Sequence, residues 1–436
     1  MSHSIPYIKE IPVIAEYDVL VVGGGPSGFV AAISAARSGK RTAIVERYGF
    51  FGGTAVAGYV LPISGFFFKE KQVVGGIAWE FVRRLEAKNG AIVEYPRGDV
   101  SFHPETYKVV AETMLEECGV TRYTNTTLVD CLRDGSRITH VIVNSKNGLE
   151  AIAAKTFIDA SGDADLFHLA GAPMLPEGES RQPLSLCFVI ENVDVSTPLL
   201  RDSIHHDGKD GRRSCNFVIR DYLLSCAEKG EIPQFGGPWF NSMVDGRSLA
   251  VNVTRMAGDA CNRDELAKVE MQLRRDMFAI VDALKKAFPE FKDCAVTVSG
   301  FNAGIRETRH IKGVTTMTLD DVLAGNIPEI PVAHCAHPMD IHSAKGAGQS
   351  LTHLEKNVFI PYEATVSEAL DNVVAAGRTI SAAREPYASI RVQATAMSIG
   401  EAAGIIASLA IDADTPVHHL PREVLKQRID ERGFVL

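Results

Sequence analysis

The stretch DVLVVGGGPSGFVAAISAARSGKRTAIVE, residues 18–46, decides the fold of this chain. Tyr17 to Val22 is an apolar run typical of a β-strand, and an Ala-rich helical pattern begins at Pro26, after three glycines. A second apolar run, Arg41 to Val45, ends in Glu46. This order of strand, tight turn, helix and strand predicts the first unit of a dinucleotide-binding fold.

The glycines of the turn have the spacing that a bound pyrophosphate requires. Gly23, Gly25 and Gly28 form the pattern G-x-G-x-x-G between the predicted strand and helix. The first allows the tight turn, the second lets the backbone approach a pyrophosphate, and the third lets the helix pack closely on the sheet. The helix N-terminus adds N–H groups and a partial positive charge. Glu46 ends the second strand, where an acid can bind ribose hydroxyls, so the sequence predicts a nucleotide cofactor here.

Further segments resemble a known family. TFIDASGDAD (Thr156 to Asp165) and NVVAAGRTIS (Asn372 to Ser381) are similar to the second and the C-terminal FAD segments of the glutathione-reductase-type flavoproteins. GIRETRHIKG, PMDIH and SIRVQATAMSIGEAAG are similar to segments of the family called FAD-dependent oxidoreductases. The resemblance spans nearly the whole chain, and it is specific for FAD but not for a substrate.

The resemblance implies how FAD is held. The stretch RYGFFGGTAVAG, residues 47–58, contains no histidine that could bind the flavin covalently, so we expect non-covalent FAD. The last helix, which begins near Arg391, would direct its positive N-terminus at the pyrimidine edge of the flavin ring. Together with the Gly-rich turn, the expected cofactor-binding residues are Gly23, Gly25, Pro26, Ser27, Gly28, Glu46, Arg47, Gly52, Gly53, Thr54, Ala160, Gly162, Gly377, Arg378, Arg391, Val392 and Gln393.

We therefore predict an α/β fold, namely a glutathione-reductase-type FAD-binding Rossmann domain with an inserted α+β substrate domain. The FAD-binding domain would be discontinuous and comprise residues 1–60, 100–180 and 335–436. The substrate or cap domain would comprise residues 61–99 and 181–334. The active site should lie between the two domains, beyond the ends of the strands.

Local patterns predict further elements. Three alternating segments over Leu128 to Phe157 indicate a β-meander with hairpin turns, and Leu184 to Ile190 is typical of a strand. Apolar residues at helical spacing from Leu266 to Phe288 predict a long amphipathic helix. The chain after Gly300 is expected to be rich in loops as far as Pro338.

Two groups of side chains are candidates for catalysis. Either Arg306 or Arg309 could clamp a substrate carboxylate or carbonyl or polarise the flavin, or the segment could form an internal Arg-Glu ion pair at the domain interface. Both can hold, with one arginine in each role. His342, with Asp340 as its orienter, could accept the proton released when a hydride leaves a C–H bond beside O–H or N–H, or it could only bond a loop backbone. The histidines of this segment fit no metal-ligand spacing, so no metal is expected.

Composition excludes several classes of partner. The 436 residues carry a net charge of −9, which disfavours nucleic acid and anionic membranes. The eight cysteines are scattered without a Cys-x-x-Cys pair, and the N-terminus lacks a secretory pattern, so we expect reduced thiols and a cytoplasmic protein. A homo-oligomer is possible. The aromatic run Tyr59 with Phe66 to Phe68 favours core or interface over an apolar substrate pocket.

The leading functional hypothesis is an oxidoreductase that transfers a hydride between flavin N5 and a small or medium-sized organic substrate. One G-x-G-x-x-G pattern is present and Gln182 to Gly300 contains no second Gly-rich turn, so we expect no NAD(P)H domain and a separate electron acceptor or donor. One alternative is a flavin monooxygenase or oxidase that uses dioxygen. An alternative of another class is a non-catalytic flavin-binding protein for assembly or sensing.

Overall fold

A computed structural model describes residues 4–95, 98–176, 181–200, 217–244, 248–343 and 346–432. Its strands are, in chain order, β1 (Val13–Val22), β2 (Thr42–Val45), β3 (Phe67–Phe68), β4 (Lys71–Gln72), β5 (Ala91–Glu94), β6 (Asp99–Phe102), β7 (Thr121–Tyr123), β8 (Thr127–Asp134), β9 (Arg137–Ser145), β10 (Gly148–Asp159), β11 (Phe188–Glu191), β12 (Phe235–Ser242), β13 (Leu249–Thr254), β14 (Ala295–Ser299), β15 (Pro331–Cys335), β16 (Met339–His342), β17 (Gln349–Thr352), β18 (Val358–Pro361) and β19 (Val373–Ala375).

Among the residues described, the α-helices are α1 (Pro26–Arg37), α2 (Thr54–Ala57), α3 (Gly76–Ala87), α4 (Pro104–Glu117), α5 (Asp165–Leu169), α6 (Phe217–Glu228), α7 (Arg263–Ala287), α8 (Leu319–Ala324), α9 (Arg384–Ile390), α10 (Gln393–Ala413) and α11 (Arg422–Asp430). By its length and composition, α10 could span a membrane. However, 89% of its apolar window is buried inside the protein, as expected for a core helix.

The main sheet has seven strands in the order β7-β2-β1-β10-β9-β8, with β19 also paired to β10. The central strand β1 is parallel to both neighbours, so that Val22 lies opposite Val45 on one side and Asp159 on the other. The next residues, Gly23, Glu46 and Ala160, therefore leave the sheet at the same edge. Carboxyl ends of parallel strands are where ligands bind in such sheets.

Helix α10 packs along α1 through glycines. A Cβ atom on Gly400 would lie 2.1 Å from the carbonyl oxygen of Ser27, and one on Gly404 would lie 2.6 Å from the carbonyl oxygen of Ala31. The Ser34 hydroxyl also donates a hydrogen bond to the carbonyl oxygen of Glu401 at 2.6 Å. The small residues let the two backbones touch, which fixes the position of α1 against the rest of the domain.

A second sheet has four strands in the order β12-β13-β11-β14, all paired antiparallel. Helices α6 and α7 cover it, and apolar residues such as Ile219, Phe240 and Ile280 form a separate core there. The amphipathic pattern from Leu266 to Phe288 thus corresponds to α7, whose capping residue Asn262 accepts hydrogen bonds from two N–H groups of the first turn.

The structure differs from three local expectations. The expected loop region around Pro338 contains β15 and β16, which pair with β18 and β17 respectively, so His342 ends a strand. The strand expected from Leu184 begins at Phe188, because Leu184 itself makes only an isolated bridge to Met256. Residues 61–99 were expected in the substrate domain, yet Phe81 and the rest of the buried face of α3 belong to the core of the main sheet.

The helix contact generates a stability prediction. Gly404→Ala should destabilise the protein by about 1–3 kcal/mol, because the added methyl group would overlap the backbone of α1. Helix propensity alone predicts the opposite sign, a gain of about 0.5–1 kcal/mol for Gly to Ala within a helix. Thermal unfolding of both proteins distinguishes the two effects. A variant as stable as the parent would show that α1 and α10 are not in contact at this position.

Candidate functional site

A single cavity, here called the central cavity, is lined by residues of the Gly-rich turn, of the second sheet and of the C-terminal segment. Of the predicted site residues, it is lined by Gly23, Gly25, Pro26, Ser27, Glu46, Arg47, Gly53, Thr54, Ala160, Gly162, Arg306, Asp340, His342, Gly377, Arg378, Arg391, Val392 and Gln393. The structure thus brings together residues that lie far apart in the sequence. Gly28, Gly52 and Arg309 do not line it.

Gly23, Gly25 and Gly28 differ in what surrounds them. A Cβ atom on Gly28 would lie 1.8 Å from the carbonyl oxygen of Gly23, and one on Gly23 would lie 2.4 Å from that of Ala160. A Cβ atom on Gly25 would have the Cα atom of Gly53 as its nearest contact, at 3.9 Å. The space beside Gly25 is therefore part of the cavity, where a side chain would occupy the place of a phosphate. This arrangement fits a pyrophosphate at the N-terminus of α1.

Glu46 is buried and bonded to the turn that it faces. One carboxylate oxygen accepts a hydrogen bond from the backbone N–H of Gly24 at 2.6 Å, and the other accepts one from that of Tyr48 at 2.8 Å. Burial raises the pKa of Glu46, while these hydrogen bonds act in the opposite direction. The carboxyl group thus lies in the cavity wall at the place expected for a ribose-binding acid.

Gly52 supports the site from outside the cavity. Its φ of +122° lies in a region that L-residues rarely adopt, and its N–H donates to the carbonyl oxygen of Gly24 at 2.8 Å. An added Cβ atom would also lie 2.9 Å from the ring of Tyr107. Gly52 therefore shapes the turn beside the phosphate position and contributes no surface to the cavity.

Arg309 is held away from the cavity by two acidic residues. Its Nε donates to the carbonyl oxygen of Asp163 at 2.9 Å, and its guanidinium group forms an ion pair with Asp165. The expectations for this arginine were a substrate clamp, polarisation of the flavin or an internal ion pair with a glutamate. The geometry gives an internal ion pair, but its partner is Asp165. The neighbouring Arg378 pairs with Asp163 at 3.1 Å and lines the cavity.

The aromatic run lies apart from the central cavity. Phe66 is fully buried and packs against Trp79, with ring centroids 5.1 Å apart, and Phe67 contacts the same indole ring. Neither Tyr59 nor Phe68 lines the cavity. Phe66 and Phe67 thus belong to the packing around α3, whereas Tyr59 packs against Val189, Met243 and Ala250 beside the second sheet. The run contributes to core packing, as its composition favoured.

At the end of the cavity away from the Gly-rich turn, four polar side chains lie together, namely those of Arg306, Arg391, Asp340 and His342. Arg306 is buried, and its Nη1 donates to the carbonyl oxygen of Pro183 at 2.7 Å and to the Ser185 hydroxyl at 2.9 Å. Arg391 Nη2 donates to the carbonyl oxygen of Asp340 at 2.9 Å. Asp340 and His342 lie two residues apart on β16, so their side chains reach the same end of that strand. This group is here called the charged cluster.

Both ring nitrogens of His342 are engaged in the charged cluster. The Nη2 group of Arg255 lies 2.8 Å from Nδ1, and because an arginine only donates, Nδ1 must accept. The proton is then on Nε2, which lies 2.9 Å from an oxygen of Asp340. His342 was expected to act as a base with Asp340 as its orienter. The geometry keeps the pairing with Asp340, but it leaves neither ring nitrogen available to take a substrate proton.

Electrostatics favour the neutral form of His342. Burial and the positive charge of Arg306 lower its pKa to about 3, and Arg255 acts in the same direction. For Asp340, burial opposes ionisation, but the hydrogen bond from His342 and the charge of Arg391 hold its pKa below the usual range. A neutral imidazole thus links a guanidinium group to an ionised carboxylate.

Sequence reasoning missed Arg255 and Gln182. Arg255 follows β13 in the second sheet and is nearly fully buried, and Gln182 accepts a hydrogen bond from Arg391 at 3.2 Å. Neither residue belongs to a motif. A buried arginine directly after an apolar strand was the available signal, because isolated arginines are rarely buried without a partner.

The glycine turn generates a matched pair of predictions. Gly25→Ala should fold with near-normal stability, since its φ of −67° suits alanine, but it should bind FAD at least about tenfold more weakly because the methyl group enters the cavity. Gly28→Ala should fail to fold or lose several kcal/mol, on the order of an overpacked core site or more. Unfolding temperature and FAD content of the two variants provide the measurement. Normal FAD content in Gly25→Ala would contradict the position of the pyrophosphate.

The charged cluster generates a second prediction. Arg255→Gln should raise the pKa of His342, because it removes a repelling charge. Nitrogen NMR of protein labelled on histidine, assigned by comparison with His342→Gln, measures the titration. Arg255→Lys keeps the charge and should give a smaller rise. Because the folded-state pKa is lowered, the stability that His342 contributes is present above pH 6.5 and is lost as the pH falls towards 3. A proton on Nδ1 at neutral pH would refute the arrangement.

Comparisons with known proteins agree with the cofactor that this geometry fits. Over 45 residues the chain is 58% identical to dihydrolipoyl dehydrogenase of Trypanosoma brucei brucei. This aligned segment covers 10% of this chain and 9% of that protein. Over 187 residues it is 30% identical to dihydrolipoamide dehydrogenase of Chaetomium thermophilum. This alignment covers 36% of this chain and 34% of that protein. The chain thus matches far less than two thirds of the length of these relatives.

Likeness to solved structures extends over the whole fold. A geranylgeranyl bacteriochlorophyll reductase-like protein from Thermoplasma acidophilum aligns with 96% of this chain and 84% of its own, with a TM-score of 0.50 and 15% sequence identity. This similarity supports the α/β FAD-binding Rossmann-type fold. The family model for FAD dependent oxidoreductases matches residues 18–429. The chain therefore belongs to the FAD-dependent oxidoreductase family and is an enzyme with FAD as its cofactor.

Proposed function

We propose that the enzyme is a dehydrogenase or reductase that transfers a hydride between FAD and a small or medium-sized organic substrate. The observation that carries the proposal is the continuity of the central cavity. One end is the pyrophosphate position beside Gly25, and the other is the charged cluster with Arg306 and Arg391. A cofactor bound along this lining has reactive side chains of the protein next to it.

The residues around the phosphate position fit FAD bound without a covalent link. Gly25 and the N-terminus of α1 would hold the pyrophosphate, and Glu46 would hold the ribose. Val392 and Gln393, at the start of α10, would face the flavin ring, where the helix dipole favours negative charge. Bound FAD supplies hydride acceptance and donation at its N5 atom.

The charged cluster would act on the substrate. Arg306 and Arg391 line the cavity with donors only, so they stabilise negative charge on a substrate oxygen. His342 acts as a positioning residue, because its Nε2–H fixes the carboxylate of Asp340 while Arg255 fixes the ring. Asp340 in turn holds the guanidinium group of Arg391, which lies 3.5 Å from its carboxylate.

Electrons would reach or leave the flavin through a separate partner. The second sheet consists of antiparallel pairs, whereas a nucleotide-binding unit requires parallel strands joined by a crossover helix. Where the structure describes the chain, this favours a substrate-binding role for that sheet over a site for NAD(P)H.

The test begins with the visible spectrum of the purified protein before and after acid precipitation. We expect a flavin spectrum that passes into the supernatant, as for non-covalent FAD. The holoprotein is then mixed without oxygen with a panel of alcohols, amines and organic acids, and, after chemical reduction, with carbonyl compounds and enoates. Loss or return of flavin absorbance with one substrate class would support the proposal.

Three other outcomes would contradict it. Substrate-dependent oxygen uptake with insertion of oxygen into the product would indicate a monooxygenase, and rapid peroxide formation would indicate an oxidase. Bound FAD that exchanges electrons with no substrate would indicate a protein for assembly or sensing. Arg306→Lys serves as the matched variant, since it keeps the positive charge and loses the planar fork, and it should slow flavin reduction by about tenfold or more.

A further inference from the structure

We propose that the charged cluster is a binding site for an organic anion, whose carboxylate group is held by Arg306 and Arg391. The inference rests on the proposed function, because it names the substrate class of the same cavity. The sequence left open whether the arginines face a carboxylate or a neutral carbonyl. The structure provides three observations that favour the carboxylate.

The first observation is the balance of charge. The charged cluster and its support contain the guanidinium groups of Arg255, Arg306 and Arg391 against a single carboxylate, that of Asp340. His342 between them is neutral. Of the other acids of the cavity wall, Asp163 is paired with Arg378 and Asp165 with Arg309, while Glu46 lies at the nucleotide end and accepts backbone hydrogen bonds there. An excess of two positive charges therefore remains in a place where Arg255 is 4% and Arg306 is 9% exposed to solvent.

The excess charge is unfavourable without a ligand. Burial lowers the pKa of Arg306 to about 9, and the charges of Arg255 and Arg391 act in the same direction. Burial likewise lowers the pKa of Arg255 to about 10. Buried charges are normally paired, so the site gains most from a ligand that brings negative charge. The phosphates of FAD do not supply it, since their position is beside Gly25. Even if one positive charge faces the flavin, one remains for the substrate.

The second observation is the way in which Arg306 is fixed. Both of its hydrogen bonds, to the carbonyl oxygen of Pro183 and to the hydroxyl of Ser185, use Nη1. The planar group is therefore held in one orientation, and among the described residues its Nε and Nη2 have no hydrogen-bond acceptor. These two donors form a fork that matches the two oxygens of a carboxylate. A neutral carbonyl oxygen would use only part of it.

The third observation is a set of buried donors without an acceptor among the described residues. They are Nε of Arg391 and Nε2 of Gln182, both with negligible exposure. The orientation of the Gln182 amide is fixed, because its oxygen accepts from Arg391 at 3.2 Å and from the backbone N–H of His342 at 3.3 Å. Arg391 lines the central cavity and Gln182 lies behind it, so these two unpaired donors add to the cost of the uncompensated positive charge at this end of the cavity.

The experiment compares carboxylates with amides of the same shape. The holoprotein is titrated with formate and formamide, acetate and acetamide, benzoate and benzamide, and succinate and succinamide. Binding is followed by calorimetry and by perturbation of the visible flavin spectrum. Each pair differs in charge and little in size. We expect the acid to bind at least about tenfold more tightly than its amide for every skeleton that enters the cavity.

Three variants locate the site. Arg306→Lys should weaken binding of the acids by about tenfold, because charge is kept and the fork is lost. Arg306→Gln should remove the preference for acids over amides. Arg263→Gln makes the same change of charge on an exposed side chain at the start of α7, outside the cavity lining, and should behave as the parent. FAD content and unfolding temperature are measured for each variant, and if Arg306→Gln does not fold, Arg306→Lys decides.

The inference is overturned if amides bind as tightly as acids, if none of the acids binds, or if the substitutions at Arg306 leave acid binding unchanged. These results are distinguishable from failure of the proposed function. Tight binding of acids by a holoprotein that exchanges electrons with no substrate would contradict the function and support the anion site. Turnover of neutral substrates alone would support the function and contradict the anion site.

Discussion

The contact between α1 and α10 is the constraint on which the rest of the site depends. Gly400 and Gly404 let the two helices approach until the backbone of α1 lies against α10. The N-terminus of α1 forms the pyrophosphate position, and the N-terminus of α10, at Gln393, lines the same cavity. One helix pair therefore sets the distance between the nucleotide end and the substrate end. The packing of the core and the geometry of the site therefore depend on the same helix contact.

Much of the nucleotide end could be predicted from sequence, because it is local. The glycines, α1 and Glu46 lie within one continuous stretch, and each has a steric or electrostatic reason to be where it is. The charged cluster is different, since Arg255 and His342 lie 87 positions apart in the chain and on separate sheets. No spacing rule relates them. The role of His342 as a base therefore stays a prediction that was made without Arg255, a residue that the sequence could not place beside the ring nitrogen.

The two arginines of GIRETRHIKG show the same limit. Arg306 and Arg309 are three positions apart in a segment without regular secondary structure, and nothing in the pattern tells which one faces the cavity. The structure separates them through their partners, since Arg309 meets the acidic pair after β10 while Arg306 meets Pro183 and Ser185. Residues 61–99 show a similar limit, since Phe81 belongs to the core of the main sheet while Leu61 packs against Val189 and Ala250 of the second sheet. Their apolar pattern predicts burial, but it does not specify which of two cores buries them.

The charged cluster also illustrates how a functional site differs from the surrounding core. A protein core gains stability from contact between apolar side chains. This region instead buries more guanidinium groups than carboxylates, which lowers the stability of the fold and is not needed for folding. Such a cost is retained where a ligand compensates for it. The positions of His342 and Asp340 are then understandable as the means by which the arginines are held apart and oriented before a substrate arrives.

The most direct measurement is an experimental structure of the protein purified with its FAD. We expect the pyrophosphate against Gly25 and the N-terminus of α1, and the flavin ring beside Val392 and Gln393, within van der Waals reach of the space faced by Arg306 and Arg391. A flavin ring directed elsewhere, or protein atoms filling the space between the ring and the charged cluster, would contradict the claim that cofactor and substrate share one cavity.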